Sequence, residues 1–299
     1  MTKDVLNPRV SIIIPTYNHA HFLSAALNSI CAQTFGDWEV IVVNNFSEDD
    51  TVAVVESYTD PRIRMVNFSN HGIIAAARNY GLSLTHAPLV AFLDSDDFWY
   101  SKKLEATMEK LERGYDLVCH AEVWMGPGER RRTVQYGPER RATYESLLFE
   151  GNCISTSAVV VRRDCLERVG SFSIKSEFVT AEDYDLWLRL ARERMRIGFI
   201  DEVLGEYRIH ASNQSRIALC NSQAVKAVFD NHCDALENIN FNRKIRRRES
   251  LIIYSGARAL QDGGKHKEAW AHFFRAVVHY PWVLRFYVAM LLNAFGVRP

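Results

Sequence analysis

The sequence predicts an α/β fold: a mostly parallel sheet flanked by helices, with a helical extension at the C-terminus. Apolar runs of strand length alternate with amphipathic segments over the first half of the chain, which is typical of βαβ units. The run LVAFLDSDDFW at 89–99 ends abruptly in three carboxylates, as expected of a buried strand with a charged site at its carboxyl end. After about Ser215 no strand pattern recurs. The 299 residues, 47% of them apolar, suffice for one large domain and a smaller appendage.

The first half contains four predicted strands, and a predicted helix follows each of them. The strands are runs rich in Val and Ile, whereas the helices carry apolar residues three and four positions apart. Gly114 ends the fourth helix. In chain order the predictions are strand 10–17, helix 19–33, strand 38–45, helix 49–59, strand 63–69, helix 73–84, the strand that begins at 89 and helix 102–114.

The next part of the chain, residues 116–210, contains three more predicted strands and an amphipathic helix. The strands are 116–126, 155–163 and 197–210, and the helix is 181–193. A polar, basic segment at 127–137 is expected to form an excursion or a hairpin. We place a domain boundary between 212 and 218, which divides the chain into an α/β domain, 1–215, and a helical region, 216–299.

Composition excludes several classes of protein. Lys plus Arg equals Asp plus Glu at 36 residues each, so the net charge gives no indication of a nucleic-acid partner. The six cysteines form no CxxC pair and no regular spacing, which argues against a disulfide framework or zinc site and for a reducing compartment. The N-terminus lacks the apolar core of a signal peptide, and no stretch reaches ~18–20 uninterrupted apolar residues. We therefore expect a cytoplasmic protein without a spanning helix.

Three acids, Asp94, Asp96 and Asp97, form the strongest chemical signal in the chain. Carboxylates this close repel one another unless a cation lies among them. A divalent ion that carries a phosphate ester suits hard oxygen ligands, which indicates Mg²⁺ or Mn²⁺. The alternative is structural, because Asp97 could cap a helix that begins near Ser101.

Polar side chains also follow the neighbouring strands. Asn44 and Asn45 come after the second strand, Asn70 comes after the third, and Arg78 lies on the helix that follows. The carboxyl ends of parallel strands meet at one edge of a sheet, so these groups should converge with the acids. Acids with a metal, an arginine and amides suit a nucleoside diphosphate. Neither a P-loop nor a GxGxxG motif is present.

Two further elements are each open to two interpretations. Glu182 and Asp183 lie at the start of a predicted helix, where they either compensate the helix dipole or supply a general base for an acceptor hydroxyl. His210, in the segment EYRIH, is either a structural residue or the imidazole that completes a metal site.

Seven segments of the chain resemble those of family 2 glycosyltransferases, which have the Rossmann-like GT-A fold of nucleotide-diphospho-sugar transferases. The segments occur in the family's order and span residues 10 to 215, about the first two-thirds of the chain. They are VSIIIPTYNHAHFLSAALNSICAQTF, WEVIVVNNFSEDDT, NHGIIAAARNYGL, LVAFLDSDDFW, GNCISTSAVVVRR, AEDYDLWLRL and GEYRIH.

The resemblance implies a role for each matching position. Asp94 and Asp96 form the family's DxD element, with Asp96 the direct ligand of Mn²⁺ or Mg²⁺ and His210 close to the metal or the diphosphate. Asp183, supported by Glu182, is the general base. The remaining implied roles concern the donor. Around its nucleotide the resemblance implies Pro15, Thr16 and Tyr17, with Asn44 and Asn45 at the base or ribose and Arg78 near the base or diphosphate. Beside its sugar the resemblance implies Asp97 and Trp99, and it places Arg208 near His210. The implied donor-binding residues also include Asn70, Asp94, Ser95 and Asp96.

The implied activity is an inverting transfer. Asp183 takes the proton of an acceptor hydroxyl while the metal neutralises the departing nucleoside diphosphate. The donor is a nucleotide-diphospho-sugar, with a UDP-sugar favoured, and the acceptor is a glycan or a polyprenyl-linked saccharide in surface polysaccharide or glycoprotein glycan assembly. The family usually has two aspartates where this chain has Asn44 and Asn45, and a glycine where it has Phe46, which leaves the base of the donor open.

Two other functions have to be distinguished from this one. A catalytically silent protein would bind the nucleotide-sugar without turnover. A nucleotidyltransferase also uses acids and a metal on an α/β sheet. The Glu182–Asp183 element and the absence of a Gly-rich, Lys-bearing phosphate loop argue against it.

The C-terminal third contains a pair of helical segments, 244–264 and 265–281, that resembles a single tetratricopeptide-type hairpin. One unit is too few for a solenoid, so we expect a helical cap on the first domain. The apolar segment 282–297 is too short to span a bilayer. It either packs on the preceding helices or lies in the membrane interface beside the basic cluster 243–248, which would place the protein at the inner face of the cell membrane.

Overall fold

The computed structural model of the chain describes residues 8–126, 130–210, 218–234 and 242–296. The predicted fold class is confirmed, because a sheet flanked by helices is followed by a helical C-terminal region. The strands are β1 (Val10–Thr16), β2 (Trp38–Asn44), β3 (Ile63–Asn67), β4 (Leu89–Phe92), β5 (Phe98–Trp99), β6 (Leu117–Met125), β7 (Arg131–Val134), β8 (Val159–Arg162) and β9 (Ile197–Arg208). The helices are α1 (Ala20–Cys31), α2 (Thr51–Glu56), α3 (Ile74–Ser83), α4 (Lys103–Glu112), α5 (Tyr144–Glu150), α6 (Arg163–Val169), α7 (Glu182–Arg192), α8 (Ala218–Cys233), α9 (Asn242–Asp262), α10 (His266–His279) and α11 (Leu284–Ala294).

The sheet follows the strand order β3-β2-β1-β4-β8-β6-β9-β5, and β7 pairs with the outer part of β6. The first four strands in this order are parallel, as the alternation of strand and helix predicts. Beyond β4 the sheet is mixed, because β8 runs antiparallel to both β4 and β6 while β9 is parallel to β6. The sheet is therefore less uniformly parallel than expected. The βαβ alternation stops at β6, where a hairpin and then α5 bring the chain back in the opposite direction.

Both faces of the sheet are covered, which explains why its central strands are apolar throughout rather than alternating. On β1, Ile13 faces a core formed with α3 and α7, whereas Ile12 and Ile14 face a second core formed with α1 and α4. All three side chains are fully buried. Because side chains alternate between the two faces along each strand, successive residues pack into two separate cores.

Several predicted elements differ in their limits. Helix α2 is shorter than expected, because the carboxylate of Asp49 accepts hydrogen bonds from the amide and hydroxyl of Thr51 and so delays the helix start. The predicted strand 155–163 begins with a 3₁₀ turn, Thr156–Ala158, and only Val159–Arg162 pairs as β8. Within the described residues the basic excursion includes β7, which forms a hairpin with β6.

The C-terminal helices pack on the sheet domain and on one another. Val228 and Phe229 of α8 are fully buried in the core that also contains α7. Helices α9 and α10 pack along each other across a turn in which Gly264 has a φ of +76°. The division at residue 215 stays a prediction, since 211–217 lie outside the described residues. No helix of the described ranges combines the length and apolar character needed to cross a bilayer.

Candidate active site

The ends of three parallel strands bring the predicted polar groups to one edge of the sheet. β1 lies between β2 and β4, so Thr16 is in register with Asn44 and Ile13 with Phe92. The chain leaves β4 at Leu93 and turns, with the amide of Asp97 donating to the carbonyl oxygen of Asp94 at 3.0 Å. The acid segment and the two asparagines therefore converge as the parallel topology predicts.

His210 reaches the acid segment from the end of β9. Its Nε2 lies 2.7 Å from Oδ2 of Asp96, and its ring packs 4.6 Å, centroid to centroid, from that of Phe22. Burial and the charge of Asp94 raise the pKa of Asp96, while the hydrogen bond from His210 lowers it. On the other side of the segment, the buried Ser95 has its hydroxyl 2.8 Å from Nδ1 of His19. The structure thus brings the predicted metal ligands Asp96 and His210 into direct contact.

The chemistry of these donors fits a divalent cation. Asp94, Asp96 and His210 offer carboxylate oxygens and an imidazole nitrogen, a set that Mn²⁺ accepts and that Mg²⁺ shares in its oxygens. The crowding of two carboxylates that raises the pKa of Asp96 is what a cation would relieve. Within the described ranges no three His, Cys, Asp or Glu side chains are already arranged around an ion position. The remaining ligands would come from substrate phosphates, as is usual for Mg²⁺.

Arg78, on α3, is a buried bridge between two acids that are distant in sequence. Its Nη2 donates to Oδ1 of Asp94 at 2.7 Å, and its Nη1 donates to Oε1 of Glu182 at 2.8 Å. Only 3% of the residue is exposed. Burial alone would lower the pKa of Arg78, but the charges of Asp94 and Glu182 raise it above its ordinary value. The structure places the Arg78 guanidinium between Asp94 and Glu182, and its expected place near the base or diphosphate stays a prediction.

Glu182 and Asp183 begin helix α7 and have different surroundings. The second carboxylate oxygen of Glu182 accepts the amide of Thr180 at 2.9 Å, so both of its oxygens are engaged. Asp183 is half-buried; it accepts the hydroxyl of Thr156 at 3.0 Å and the amide of Tyr184 at 2.6 Å. Burial and the charge of Glu182 raise the pKa of Asp183 to about 6, against the opposing effect of Arg78. Glu182 is thus held in place, whereas Asp183 has the pKa of a group that can take up a proton near neutrality.

A run of three hydroxyl residues, Ser155 to Ser157, links the acids and was not singled out from the sequence. The hydroxyl of Ser157 donates to Oδ2 of Asp97 at 2.6 Å and accepts the amide of Asp94 at 3.1 Å. Thr156 donates to Asp183, as described above. Because these bonds join positions about 30 to 60 residues apart, no local pattern in the sequence announces them.

Ser155, the first residue of that run, bonds to a buried acid that sequence reasoning also missed. Glu122, on β6, accepts hydrogen bonds from Ser155 and, at 2.6 Å, from the hydroxyl of Tyr136. Burial raises the pKa of Glu122 to about 7. In the sequence, the only indication of a role for Glu122 is that it is an acid within a largely apolar strand.

Asp97 and Trp99 are buried beside the acid segment, and their implied place beside the donor sugar stays a prediction. Each is 1% exposed. Asp97 also accepts the amide of Arg208 at 3.0 Å, which fastens the acid turn to β9, and the Arg208 guanidinium lies 5.7 Å from the ring centroid of Phe98. The indole nitrogen of Trp99 donates to the carbonyl of Ser157 at 2.7 Å. The helix-cap alternative for Asp97 is wrong, since α4 begins at Lys103 and its N-cap residue is Lys102.

The base-side residues occupy the ends of β1 and β2. Pro15 lies within β1, Thr16 is buried with no hydrogen-bond partner for its hydroxyl in the described part of the chain, and Tyr17 is 50% exposed. Asn45 accepts the amide of Asn70 at 3.0 Å. These contacts order the loops that follow the strands.

Most of the hydrogen-bonding capacity of the Asn44 side chain is used within the protein. Its Oδ1 accepts the amide of Ser47 at 3.0 Å and the hydroxyl of Ser47 at 2.6 Å, and its Nδ2 donates to Oδ1 of Asn67 at 2.8 Å. An amide oxygen has two lone pairs, so one Nδ2 proton is what remains for a ligand. The next residue but one, Phe46, has a φ of +56° where a glycine would be unstrained, and it is 59% exposed.

Comparison with known proteins identifies relatives along most of the chain. The family model described as Glycosyl transferase family 2 matches residues 11–170. The Escherichia coli protein "UDP-Glc:alpha-D-GlcNAc-diphosphoundecaprenol beta-1,3-glucosyltransferase WfgD" is 31% identical over 242 residues, which cover 77% of this chain and 87% of the relative.

Solved structures share the fold at low sequence identity. TarS 1-349 of S. aureus in complex with UDP-GlcNAc has a TM-score of 0.60 at 16% identity, with 97% of this chain and 92% of that chain covered. The mannosyltransferase PcManGT from Pyrobaculum calidifontis in complex with GDP-Man and Mn²⁺ has a TM-score of 0.63 at 18% identity, with 97% and 85% covered.

Proposed function

The chain belongs to glycosyl transferase family 2, and on that premise we propose that it is an inverting glycosyltransferase. It would move a hexosyl or N-acetylhexosaminyl group from a nucleotide-diphospho-sugar to a glycan or lipid-linked glycan, in the assembly of a bacterial-type surface polysaccharide or glycoprotein glycan. The observation that carries the proposal is the pair of acids held at opposite ends of Arg78. Asp94 opens the acid segment, and Glu182 fixes the start of the helix that presents Asp183.

The proposed reaction is a single displacement. Asp183 accepts the proton of an acceptor hydroxyl as that oxygen forms a bond to the anomeric carbon. The bond from that carbon to the diphosphate breaks on the opposite face, so the configuration inverts. A carboxyl group with a pKa of about 6 is ionised at neutral pH and remains basic enough to take the proton. No enzyme nucleophile is required.

Asp94, Asp96 and His210 would hold a divalent cation, Mn²⁺ or Mg²⁺, which when bound neutralises charge on the leaving nucleoside diphosphate. Contacts within the protein hold Asp94 in place and so determine where that charge would lie. Arg78 orients Asp94 through one oxygen, and Ser157 holds the acid turn through the amide of that same residue. These supports come from α3 and from the segment before β8, so they link the diphosphate side of the site to the helix that bears Asp183.

We propose a UDP-sugar as the donor, with contacts to the base that differ from those implied by the resemblance. With its oxygen engaged by Ser47, Asn44 can donate to a carbonyl oxygen of a uracil but cannot accept its N3–H. Tyr17 and Phe46 are the exposed aromatic residues at the ends of β1 and β2, where a base could stack. The named E. coli relative uses UDP-Glc, while PcManGT was solved with GDP-Man, so a nucleotide panel is needed to test the choice.

We propose that the acceptor is a lipid-linked saccharide and that the protein meets it at the cytoplasmic face of the membrane. The E. coli relative is named for a diphosphoundecaprenol-linked substrate. On α11, Phe286 and Ala289 pack inward and are buried, whereas Leu284, Leu291 and the C-cap residue Phe295 are 60% to 78% exposed. One side of the helix thus packs on the protein, and the other is available to a membrane interface.

The experiment that tests the proposal measures donor binding and turnover together. Thermal unfolding with UDP, CDP, GDP and dTDP, with and without Mn²⁺, identifies the nucleotide and the metal dependence. Release of the nucleoside diphosphate from the matching sugar donor, with and without a lipid-linked acceptor, measures turnover. An enzyme gives metal-dependent release that the acceptor accelerates. A catalytically silent binding protein, the alternative function, gives saturable binding without release.

A further inference from the structure

A groove of about 870 Å³ lies between α9, α11 and the end of α5, apart from the proposed active site. Three arginines line it: Arg248 and Arg258 from one face of α9, and Arg285 from α11. Tyr254 lies between the last two, with its hydroxyl 3.3 Å from Nη1 of Arg258 and its ring centroid 5.3 Å from the Arg285 guanidinium carbon. The groove therefore concentrates positive charge around one aromatic residue.

None of the three arginines forms an ion pair with any residue that the structure describes. The Nε atoms of Arg248 and Arg258 are also buried, and no group in the described part of the chain accepts a hydrogen bond from them. A buried charged donor without an acceptor is destabilising. Nη1 of Arg258 donates to Tyr254 and Nη2 of Arg248 donates to Tyr184, but no described acid neutralises these groups. Guanidinium groups without an acidic partner in one groove suit an anion, because they match phosphate geometry.

Two acids also line the groove, and neither neutralises the arginines. Glu150 pairs with Arg141 at 3.3 Å. Asp262 stands at the far end of α9 and forms no ion pair within the described ranges. Residues 269 to 299 contain no Asp or Glu, so α11 carries no negative charge and α10 carries only Glu268, in its first turn.

We propose that this groove binds a phosphate-bearing group, namely the diphosphate of a lipid-linked acceptor. Arg285 directly follows Leu284, which is 78% exposed and begins the outward apolar face of α11. A lipid chain attached to a phosphate in the groove would therefore meet apolar surface next to it. The assignment to the acceptor rests on the proposed function, whereas the assignment to a phosphate rests on the arginines alone.

The test uses the full chain, farnesyl diphosphate and inorganic diphosphate in isothermal titration, without a sugar donor. Farnesyl diphosphate should bind the wild type, and Arg258→Gln/Arg285→Gln should weaken binding by about tenfold or more, because two charged hydrogen-bond donors are lost. The matched control is Arg275→Gln, at an exposed arginine on α10 that forms no ion pair or hydrogen bond with any described residue. It should bind within about twofold of the wild type, since only a distant, solvent-screened charge is lost.

Three ligands distinguish which kind of phosphate group the groove binds. Equal binding of inorganic diphosphate assigns the site to the anion alone, and tighter binding of farnesyl diphosphate adds the lipid chain. Displacement of farnesyl diphosphate by dihexanoylphosphatidylglycerol but not by inorganic diphosphate would assign the groove to bilayer lipid and overturn the acceptor assignment. Absence of binding, or equal binding by the double variant, overturns the phosphate site.

Two controls keep the outcome interpretable. The single variant Arg285→Gln, at an exposed position, reports on the groove if the double variant unfolds at a lower temperature. Donor hydrolysis does not involve the groove and should be unchanged in both variants. Failure of this site therefore leaves the proposed transferase activity standing, and failure of that activity leaves the binding result standing.

Discussion

Arg78 and Glu182 form a buried ion pair, with Nη1 2.8 Å from Oε1, although 104 positions separate them in the chain. The other terminal nitrogen of Arg78 is 2.7 Å from Asp94. One guanidinium group thus joins the acid segment at the end of β4 to the start of the helix that carries Asp183. In the proposed reaction, that link would set the separation between the leaving diphosphate and the base that activates the acceptor.

Replacement of Arg78 by lysine should lower kcat by roughly 10²-fold, because a misplacement of about 1 Å at a site of this kind has such an effect. Lysine keeps the charge but lacks the planar fork that bonds two carboxylates at once. The measurement is the rate of nucleoside diphosphate release. The matched control is Arg64→Lys, whose arginine forms a half-exposed pair with Glu39 and should be neutral. Equal kcat for Arg78→Lys and the wild type would contradict the positioning role.

The rate should fall on the acid side of about pH 6, where Asp183 takes up a proton and can no longer act as a base. The hydrogen bond from Thr156 stabilises the ionised carboxylate and so lowers its pKa. Thr156→Val should therefore move the acid limb of kcat to higher pH, whereas Thr156→Ser, which keeps the hydroxyl, should leave it in place. A profile of kcat from pH 5 to 8 checks this. Coincident acid limbs for valine and serine would rule out the contact as a determinant.

The sequence was sufficient for the fold class and for the meeting of strand ends at one edge, because both follow from the order of apolar runs. It did not anticipate the antiparallel β8, since an apolar run gives no direction for a strand that follows a hairpin and a helix. Asp97 and Trp99 stand next to the predicted metal ligands Asp94 and Asp96 in the sequence, yet the turn after β4 directs them into the core, where each is 1% exposed.

The support around Asp183 was equally beyond sequence reasoning. Thr156 and Asp183 are 27 positions apart, and Ser157 and Asp97 are 60 positions apart. Periodicity reports on neighbours along one helix or strand, so contacts between loops at this separation leave no trace in it. The resemblance included the segment that contains these hydroxyl groups but gave them no role.

Asn44→Asp should raise the affinity for UDP relative to CDP by about tenfold. The wild-type amide has only an N–H left for a base, and uracil presents an N3–H that needs an acceptor, whereas cytosine presents an unprotonated N3. A carboxylate at position 44 supplies a charged acceptor in place of Nδ2. Isothermal titration with both nucleotides measures the ratio. An unchanged ratio would mean that the base does not meet this residue.

Leu284→Ser/Leu291→Ser should reduce binding to vesicles that contain phosphatidylglycerol by at least about tenfold, because burial of each leucine contributes roughly 1.5–3 kcal/mol. Co-sedimentation measures the bound fraction. The matched control is Ile174→Ser, a side chain 59% exposed outside the C-terminal helices, which should pellet like the wild type. Unchanged pelleting of the double variant would contradict the membrane contact. Loss of self-association by light scattering instead would assign the face to a second copy.

The most direct test of the central claim is the transfer rate of Asp183→Asn. Asparagine preserves the shape of the side chain and its contact with Thr156 but cannot accept the proton of an acceptor hydroxyl. The account predicts a loss of transfer of about 10²–10⁴-fold, with UDP-sugar affinity within about twofold of the wild type. The exposed Asp201 provides the control variant, Asp201→Asn, which should be fully active. Transfer by Asp183→Asn at a rate close to that of the wild type would contradict the account.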